Sequence, residues 1–239
     1  MTRLFLASSN PGKLREFREA AAARGVQIEP LPGFSDLPAC VEDGATFEEN
    51  ARKKAMYYSR NNPGWVFADD SGICVDALQG APGVYSARFA GPQASDDQNN
   101  ARLIEEIHRI ESEASARMST PPPDRNSKAG NRDPLPNGRS SSFDLPVWVS
   151  STHRAAHYIC VIALAEAGRI LTVVEGRADG FIIDQPRGTG GFGYDPYFYY
   201  PPLGETFAEL LPEAKFAVSH RGAAFRKLLD VLGARSQES

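Results

Sequence analysis

Residues 65–72 read Trp65-Val66-Phe67-Ala68-Asp69-Asp70-Ser71-Gly72. An apolar run of four carries the chain into two adjacent carboxylates, a hydroxyl and a glycine. The pattern predicts a strand from Trp65 to Ala68 that ends in an Asp-Asp-Ser-Gly turn. Such a turn would deliver hard oxygen ligands at a sheet's carboxyl edge, where open α/β sheets place their ligands. An ordinary strand-to-turn exit accounts for the same residues, because Asp, Ser and Gly are common in turns. The flanking sequence has to decide between them.

Upstream, Arg3 to Ala7 reads as a short strand, followed by Ser8-Ser9-Asn10-Pro11-Gly12-Lys13 and a helix. Leu14, Phe17 and Ala21 supply the apolar face of that helix, and Gly25 is its stop. A strand–loop–helix unit of this kind presents free backbone N–H groups, a positive dipole end and a lysine at one point, an anion site suited to phosphate. The glycine spacing and Lys-Ser/Thr pair of a Walker loop are missing, and a capped turn with a surface lysine fits the same residues. Val26 to Leu31 forms a second strand. Thr46 and Glu49 then make a capping box ahead of Phe47, Ala51, Ala55 and Tyr58 at helical spacing. Glu49 thereby has a structural task, whereas Glu42, in the loop before the helix, is free to act as a ligand.

Downstream, Ile73 to Leu78 resumes an apolar alternation, and Gly80-Ala81-Pro82-Gly83 makes a bend. Arg88 suits either an anion or solvent. Ser95 and Gln98 form a second capping box, opening a helix with Leu103, Ile104, Ile107 and Ile110 on its buried stripe. From Glu111 to Ser151 prolines, serines, asparagines and arginines dominate, and residues 112–153 read as a flexible low-complexity insertion. Within it only Leu145-Pro146-Val147-Trp148-Val149 resembles a docking motif. Tyr158 to Ala165 and Ile170 to Val174 form a hairpin across Ala167-Gly168, and Phe181-Ile182-Ile183 extends the sheet. Arg187 to Pro196 then packs four glycines into six residues, with Phe192 and Tyr194 offering flat faces to a base. Thr206 with Glu209 reads as a third helix cap before Leu210-Leu211. Lys215 precedes Ser219-His220-Arg221-Gly222, which opens a last helix with Phe225, Leu228, Leu229 and Leu232 inward. Lysine, histidine and arginine at a helix start make a second anion or base-recognition site.

The 239 residues suffice for a sizeable core, and the charged and hydrophobic shares, 23% and 41%, are ordinary for a soluble globular protein. A formal net charge of −4 argues against coating nucleic acid by bulk electrostatics. Cys40, Cys74 and Cys160 are scattered and lack metal-ligand spacing, which suits reduced thiols in a cytosol. No apolar run could span a membrane and none forms a signal segment, so a cytoplasmic protein is expected.

Taken in order, Ser-Ser-Asn-Pro-Gly-Lys, Thr-Phe-Glu-Glu-Asn-Ala, Phe-Ala-Asp-Asp-Ser-Gly, Gly-Ala-Pro-Gly-Val-Tyr-Ser-Ala-Arg, Gly-Gly-Phe-Gly-Tyr-Asp-Pro and Lys215 with Ser-His-Arg-Gly form a series. The series closely resembles the inosine triphosphate pyrophosphatase family, the house-cleaning non-canonical purine NTP or dITP/XTP pyrophosphatases. The resemblance covers the chain except about Glu111 to Arg154. It implies hydrolysis of dITP, ITP and XTP between the α- and β-phosphates, giving the nucleoside monophosphate and pyrophosphate, with Mg²⁺. By the same resemblance Asp70 is the catalytic carboxylate and a magnesium ligand, Glu42 the second metal ligand, and Asp69 their support. Ser8, Ser9, Asn10, Pro11, Gly12 and Lys13 hold the triphosphate. Ser71, Phe192, Gly193, Tyr194, Asp195, Lys215, His220 and Arg221 contact the nucleotide, the later ones at its base. A homodimer is implied, with no nucleic-acid or membrane partner. The expected fold is α/β: one domain of two lobes over residues 1–239, with a long, mixed, twisted central sheet flanked by helices and the nucleotide in the cleft between the lobes. Rival readings are a pyrophosphatase for another nucleotide and a nucleotide-binding regulatory module.

Overall fold

Seven strands form one open mixed sheet in the order β2-β1-β3-β4-β5-β6-β7 in the computed structural model, which describes residues 2–22, 24–60, 62, 64–119 and 153–235. The strands are β1 (Thr2–Leu6), β2 (Val26–Pro30), β3 (Trp65–Val75), β4 (Ala155–Glu166), β5 (Arg169–Ile182), β6 (Phe198–Tyr200) and β7 (Glu205–Thr206). The helices are α1 (Pro11–Ala22), α2 (Phe47–Ser59), α3 (Asp96–Ser119), α4 (Pro212–Val218) and α5 (His220–Arg235). β2, β1 and β3 run parallel, and every later pairing is antiparallel. No helix among the described residues is long and apolar enough to cross a membrane.

The parallel part sets the geometry of the site. α1 connects β1 to β2 and packs on one face with α5, where Leu4, Phe17, Phe67, Ile162 and Phe225 form a core. α2 leads into β3 from the opposite face, packing Ala51, Ala55 and Tyr58 on Val66, Ala68 and Val161. The helices change sides between β1 and β3, the switch point where open sheets leave a crevice. β1 pairs with β3 only as far as Leu6↔Phe67. From Ala68 to Ser71 that edge of β3 has no strand beside it among the described residues, while β4 covers the other edge throughout.

β3 corrects one expectation. Asp69-Asp70-Ser71-Gly72 is not a turn but the middle of an eleven-residue strand. Each residue from Val66 to Val75 is matched to a residue of β4, and that ladder overrides the local turn preference of the tetrad. Likewise, Ile170–Val174 and Phe181-Ile182 belong to one strand, β5, because β4 pairs along its whole length. Glycine at 176 is required there: a Cβ on Gly176 would collide with the His220 carbonyl oxygen and the Ala224 amide nitrogen of α5.

Of the first two capping boxes the second is complete, and the first is present as the Thr46 cap, with the Glu49 carboxylate turned to Ala45 N at 2.8 Å instead of to Thr46 N. Thr46 Oγ1 accepts from Glu49 N at 3.1 Å, and Ser95 with Gln98 bond reciprocally at 2.9 and 3.2 Å. The third is not a helix cap. Glu209 does accept from Thr206 N at 2.7 Å, but Thr206 belongs to β7 and gives its hydroxyl to the Arg187 carbonyl. The helix starts only at Pro212, at the N-terminal position where a missing N–H costs nothing. α3 continues to Ser119, so residues 112–119 are helical rather than part of a loop. Buried Arg154 holds this part of α3 to the sheet through Glu111 at 2.8 and 2.9 Å. The rest of the expected insertion, with its Leu145–Val149 motif, lies outside the described residues.

Candidate active site

Because β3 is extended, successive side chains alternate between the faces of the sheet. Asp69 and Ser71 point to the side of α1 and α5, and Asp70 to the side of α2. Asp69 is buried and meets Lys13 Nζ at 2.7 Å, with Arg221 Nε at 3.8 Å. Burial by itself would raise its pKa, but the charges of Lys13, Arg221 and Lys54 outweigh that and bring it down to about 2. Asp70 accepts from Asn50 Nδ2 at 3.1 Å and lies 3.4 Å from Lys54 Nζ. Lys54 also reaches Glu42 at 2.8 Å, so one ammonium sits between two carboxylates. Burial raises the Asp70 pKa, against the opposing pull of Lys54 and Asn50. Neighbours in sequence are thus pushed apart in acidity, a pattern that marks division of labour between carboxylates.

At the end of β1, Asn10 caps α1. Its Oδ1 accepts from the N–H groups of Gly12 and Lys13 at 2.8 and 3.1 Å, and its own N–H bonds Ser8 Oγ at 3.2 Å. This corrects the expectation of free backbone donors in the loop: the amides of residues 10, 12 and 13 are already bonded. What the loop offers an anion is the helix dipole and Lys13, which is mostly buried against Asp69 rather than free at the surface.

Beside this loop lies a cavity of about 280 Å³, with walls from the β1–α1 loop, β3, α3, β4, the glycine-rich loop and the start of α5. Arg221 and Lys215 share the carboxylate of Glu16, at 2.8 and 3.2 Å, and Lys215 also bonds buried Asp195 at 2.7 Å. Arg221 further donates to Ser71 Oγ at 3.2 Å. The Phe192 ring covers both cations, with Lys215 Nζ at 4.8 Å and Arg221 Cζ at 5.2 Å from its centroid, which is cation–π geometry. His220 stacks on Tyr158 with centroids 4.5 Å apart and planes 6° apart. Burial, then the positive charges of Arg221, Lys215 and Lys13, hold His220 well below the usual imidazole range, so it is neutral. His220 Nδ1 and Arg221 Nε are buried without a hydrogen-bond partner, unmet capacity that a polar ligand would satisfy.

A family model described as the Ham1 family matches residues 4–121 and 143–231. The chain belongs to the Ham1 family. Among Ham1 relatives it is 40% identical over 228 residues to the dITP/XTP pyrophosphatase of Geobacillus kaustophilus, covering 95% of this chain and 93% of that one. It is 41% identical over 233 residues to the dITP/XTP pyrophosphatase of Geobacter sulfurreducens, covering 98% of each. The solved HAM1 protein from Coxiella burnetii superposes with a TM-score of 0.73 at 33% identity, over 98% of this chain and 100% of that one. The motif series and the whole-chain comparison therefore agree.

In this Ham1 chain the fold brings Asn10, Lys13, Ser71, Phe192, Gly193, Tyr194, Asp195, His220 and Arg221 to the walls of one cavity. Lys215 stands behind Phe192. Glu42 and Asp70 lie on the opposite face of β3, and both faces meet at its uncovered edge. Ser8 serves the Asn10 turn, Gly12 packs near Phe192, and Ser9 and Pro11 are exposed at the start of α1. Among the described residues no group of three or more His, Cys, Asp or Glu converges in ligating geometry. Lys54, Asn50 and Glu16 were not singled out from the sequence. Lys54 had a readable signal, since it falls on the buried stripe of α2 with Ala51, Ala55 and Tyr58, where an apolar residue belongs. Glu16 had none, because its partners lie about two hundred positions away.

Proposed function

We propose that this protein hydrolyses non-canonical purine nucleoside triphosphates (dITP, ITP and XTP) to the nucleoside monophosphate and pyrophosphate, with Mg²⁺. The observation that carries the reading is the division of the β3 edge. A cation-rich, aromatic-walled cavity opens on the Asp69 side, and a pair of carboxylates stands on the Asp70 side. The base takes the cavity and the triphosphate crosses the strand edge between β1 and β3.

Glu42 and Asp70 suit a hard divalent cation, because both carboxylates already face one positive charge, that of Lys54. Magnesium is usually held by one or two carboxylates together with water and phosphate oxygens. Bound there, it supplies neutralisation of the triphosphate charge. Lys13 and the α1 dipole hold the phosphates at the other face. Asp70 accepts the proton of the attacking water, as a general base must lie at the point of attack. Asp69 fixes Lys13 and Arg221.

Base choice rests on the 6-keto oxygen, an acceptor where adenine presents an amino donor. Lys215 and Arg221 are donors without acceptor capacity. An adenine amino group leaves Arg221 Nε, which has no hydrogen-bond partner in the protein, unsatisfied, a penalty of roughly 1–3 kcal/mol for such a buried group. The reading includes one domain whose two lobes flank the cleft, a homodimer, and a cytoplasmic location. The family resemblance and three free cysteines support these.

Incubation with Mg²⁺ and dITP, XTP, dATP or dGTP, followed by product identification, tests the proposal. Pyrophosphate with dIMP or XMP is the expected result. Release of single phosphates, or equal turnover of dATP, overturns it.

A further inference from the structure

The glycine-rich loop that carries Phe192, Tyr194 and Asp195 is held from a direction the proposed chemistry does not use. Gly193 has φ +64°, a left-handed conformation that favours glycine. Both of its polar backbone atoms are taken by side chains of α3. Asp96 Oδ2 accepts from Gly193 N at 2.6 Å, and Asn100 Nδ2 donates to Gly193 O at 3.0 Å. The two side chains are four positions apart on the first turns of α3 and so lie on one face of it. The Ser95–Gln98 box fixes where that helix begins, and the helix dipole favours a carboxylate at Asp96. Asp96 is also part of the cavity wall. Asn100 is 4% exposed and its Oδ1 has no partner, so the bond to Gly193 is what decides the orientation of this amide.

We infer that Asp96 and Asn100 are positioning residues, a two-pronged clip on the Gly193 peptide that holds Phe192 over Lys215 and Arg221 and so forms the base-facing wall. This inference rests on the proposed function for its substrate. Four glycines lie within Gly188–Gly193, and a segment so rich in glycine does not hold one shape by itself. The loop's other ties include Gly190 N to Ala208 O at 2.9 Å, the Tyr194 hydroxyl to Ser86 O at 2.8 Å, and a local pair in which Phe192 N donates to Asp195 Oδ2 at 2.8 Å and Asp195 N to Phe192 O at 3.4 Å; the clip adds the link from this loop to α3. Among the bonds of the described residues, the N–H and the C=O of Gly193 are both held by α3. The bonds of the two prongs go to Gly193 rather than to Lys13 or Asp70, so base binding and phosphate binding respond differently to their loss.

The test compares Asp96→Ala, Asn100→Ala and the conservative Asp96→Asn, which keeps an acceptor for the Gly193 N–H. Each alanine variant is expected to raise KM for dITP by about tenfold, the scale of one hydrogen bond to a charged or buried group, with kcat changed less than about twofold. Calorimetric binding should weaken for dIMP, which carries the base, and stay unchanged for pyrophosphate, which does not. Asp96→Asn should restore the dIMP affinity. A fall in kcat at constant KM, or equal weakening of dIMP and pyrophosphate, would show a general structural role and overturn the inference. If Asp96→Asn is as weak as Asp96→Ala, the carboxylate charge rather than the clip is at work, which also overturns it. Wild-type protein that binds dIMP but releases no pyrophosphate from dITP removes the proposed reaction, and the two binding measurements still decide the clip.

Discussion

Asp69 and Asp70 are adjacent in the chain yet look onto opposite faces of the same sheet, Asp69 toward Lys13 at 2.7 Å and Asp70 toward Lys54 at 3.4 Å. Their mutants should therefore fail in different ways. Asp70→Asn should lower turnover of dITP by at least about a hundredfold, the lower end of general-base effects, with the melting temperature retained. Asp69→Asn leaves Lys13 without its buried counter-charge, while Arg221 keeps Glu16, and should destabilise the fold by roughly 3 kcal/mol. Steady-state rates and thermal melts on both variants check this. Near-normal turnover of Asp70→Asn would remove that residue from the chemistry.

Base discrimination should depend on the two cations under Phe192. Arg221→Gln and Lys215→Met should each reduce the ratio of kcat/KM for dITP over dATP by roughly ten- to a hundredfold. Parallel assays on both substrates give the ratio, and an unchanged ratio would move base selection elsewhere.

Acid should destabilise the fold through His220. The folded chain keeps this ring neutral well below its usual pKa of 6.5, chiefly by burial. The unfolded chain takes up the proton, so stability is present above about pH 6.5 and is lost as the pH falls below it. One such group contributes a slope of up to about 1.4 kcal/mol per pH unit. Urea midpoints should decline toward acid in wild-type protein and decline less in His220→Asn. Identical slopes would contradict the prediction.

Residues 122–142 fall between the two stretches matched by the family model. Deleting them should leave turnover within about twofold, because the family model matches the chain on either side without them and lengthening or shortening a connection costs little. Arg154 and Glu111 keep α3 and β4 together independently of that segment. Loss of soluble, active protein would show that the segment is part of the working structure.

Features encoded within a few residues were legible in the sequence. The Thr46 cap on Glu49 N, the Ser95–Gln98 box and the Ala167-Gly168 turn depend on neighbours, and each is present. The Asp-Asp-Ser-Gly tetrad was misread as a turn because its conformation is imposed by β4, some ninety positions later. Thr206 N–H bonds the Glu209 carboxylate as in a capping box, yet its hydroxyl donates to Arg187 O instead of accepting from Glu209 N, and β6 holds Thr206 as a strand residue. At the site, the motif residues around the cavity could be named from their resemblance alone. The pairs Lys54–Asp70 and Glu16–Arg221 could not, since each joins elements whose proximity only the folded sheet creates.

Gly176 carries a consequence for the seating of α5. It lies on β5 behind the cavity, and its missing side chain lets the first turn of α5 rest directly on the sheet at His220 and Ala224. How deep the His220 end of that helix is seated is therefore set by the width of a single hydrogen atom at a residue outside the cavity walls. A side chain at Gly176 would push the start of α5 off the sheet without altering any residue of the cavity wall.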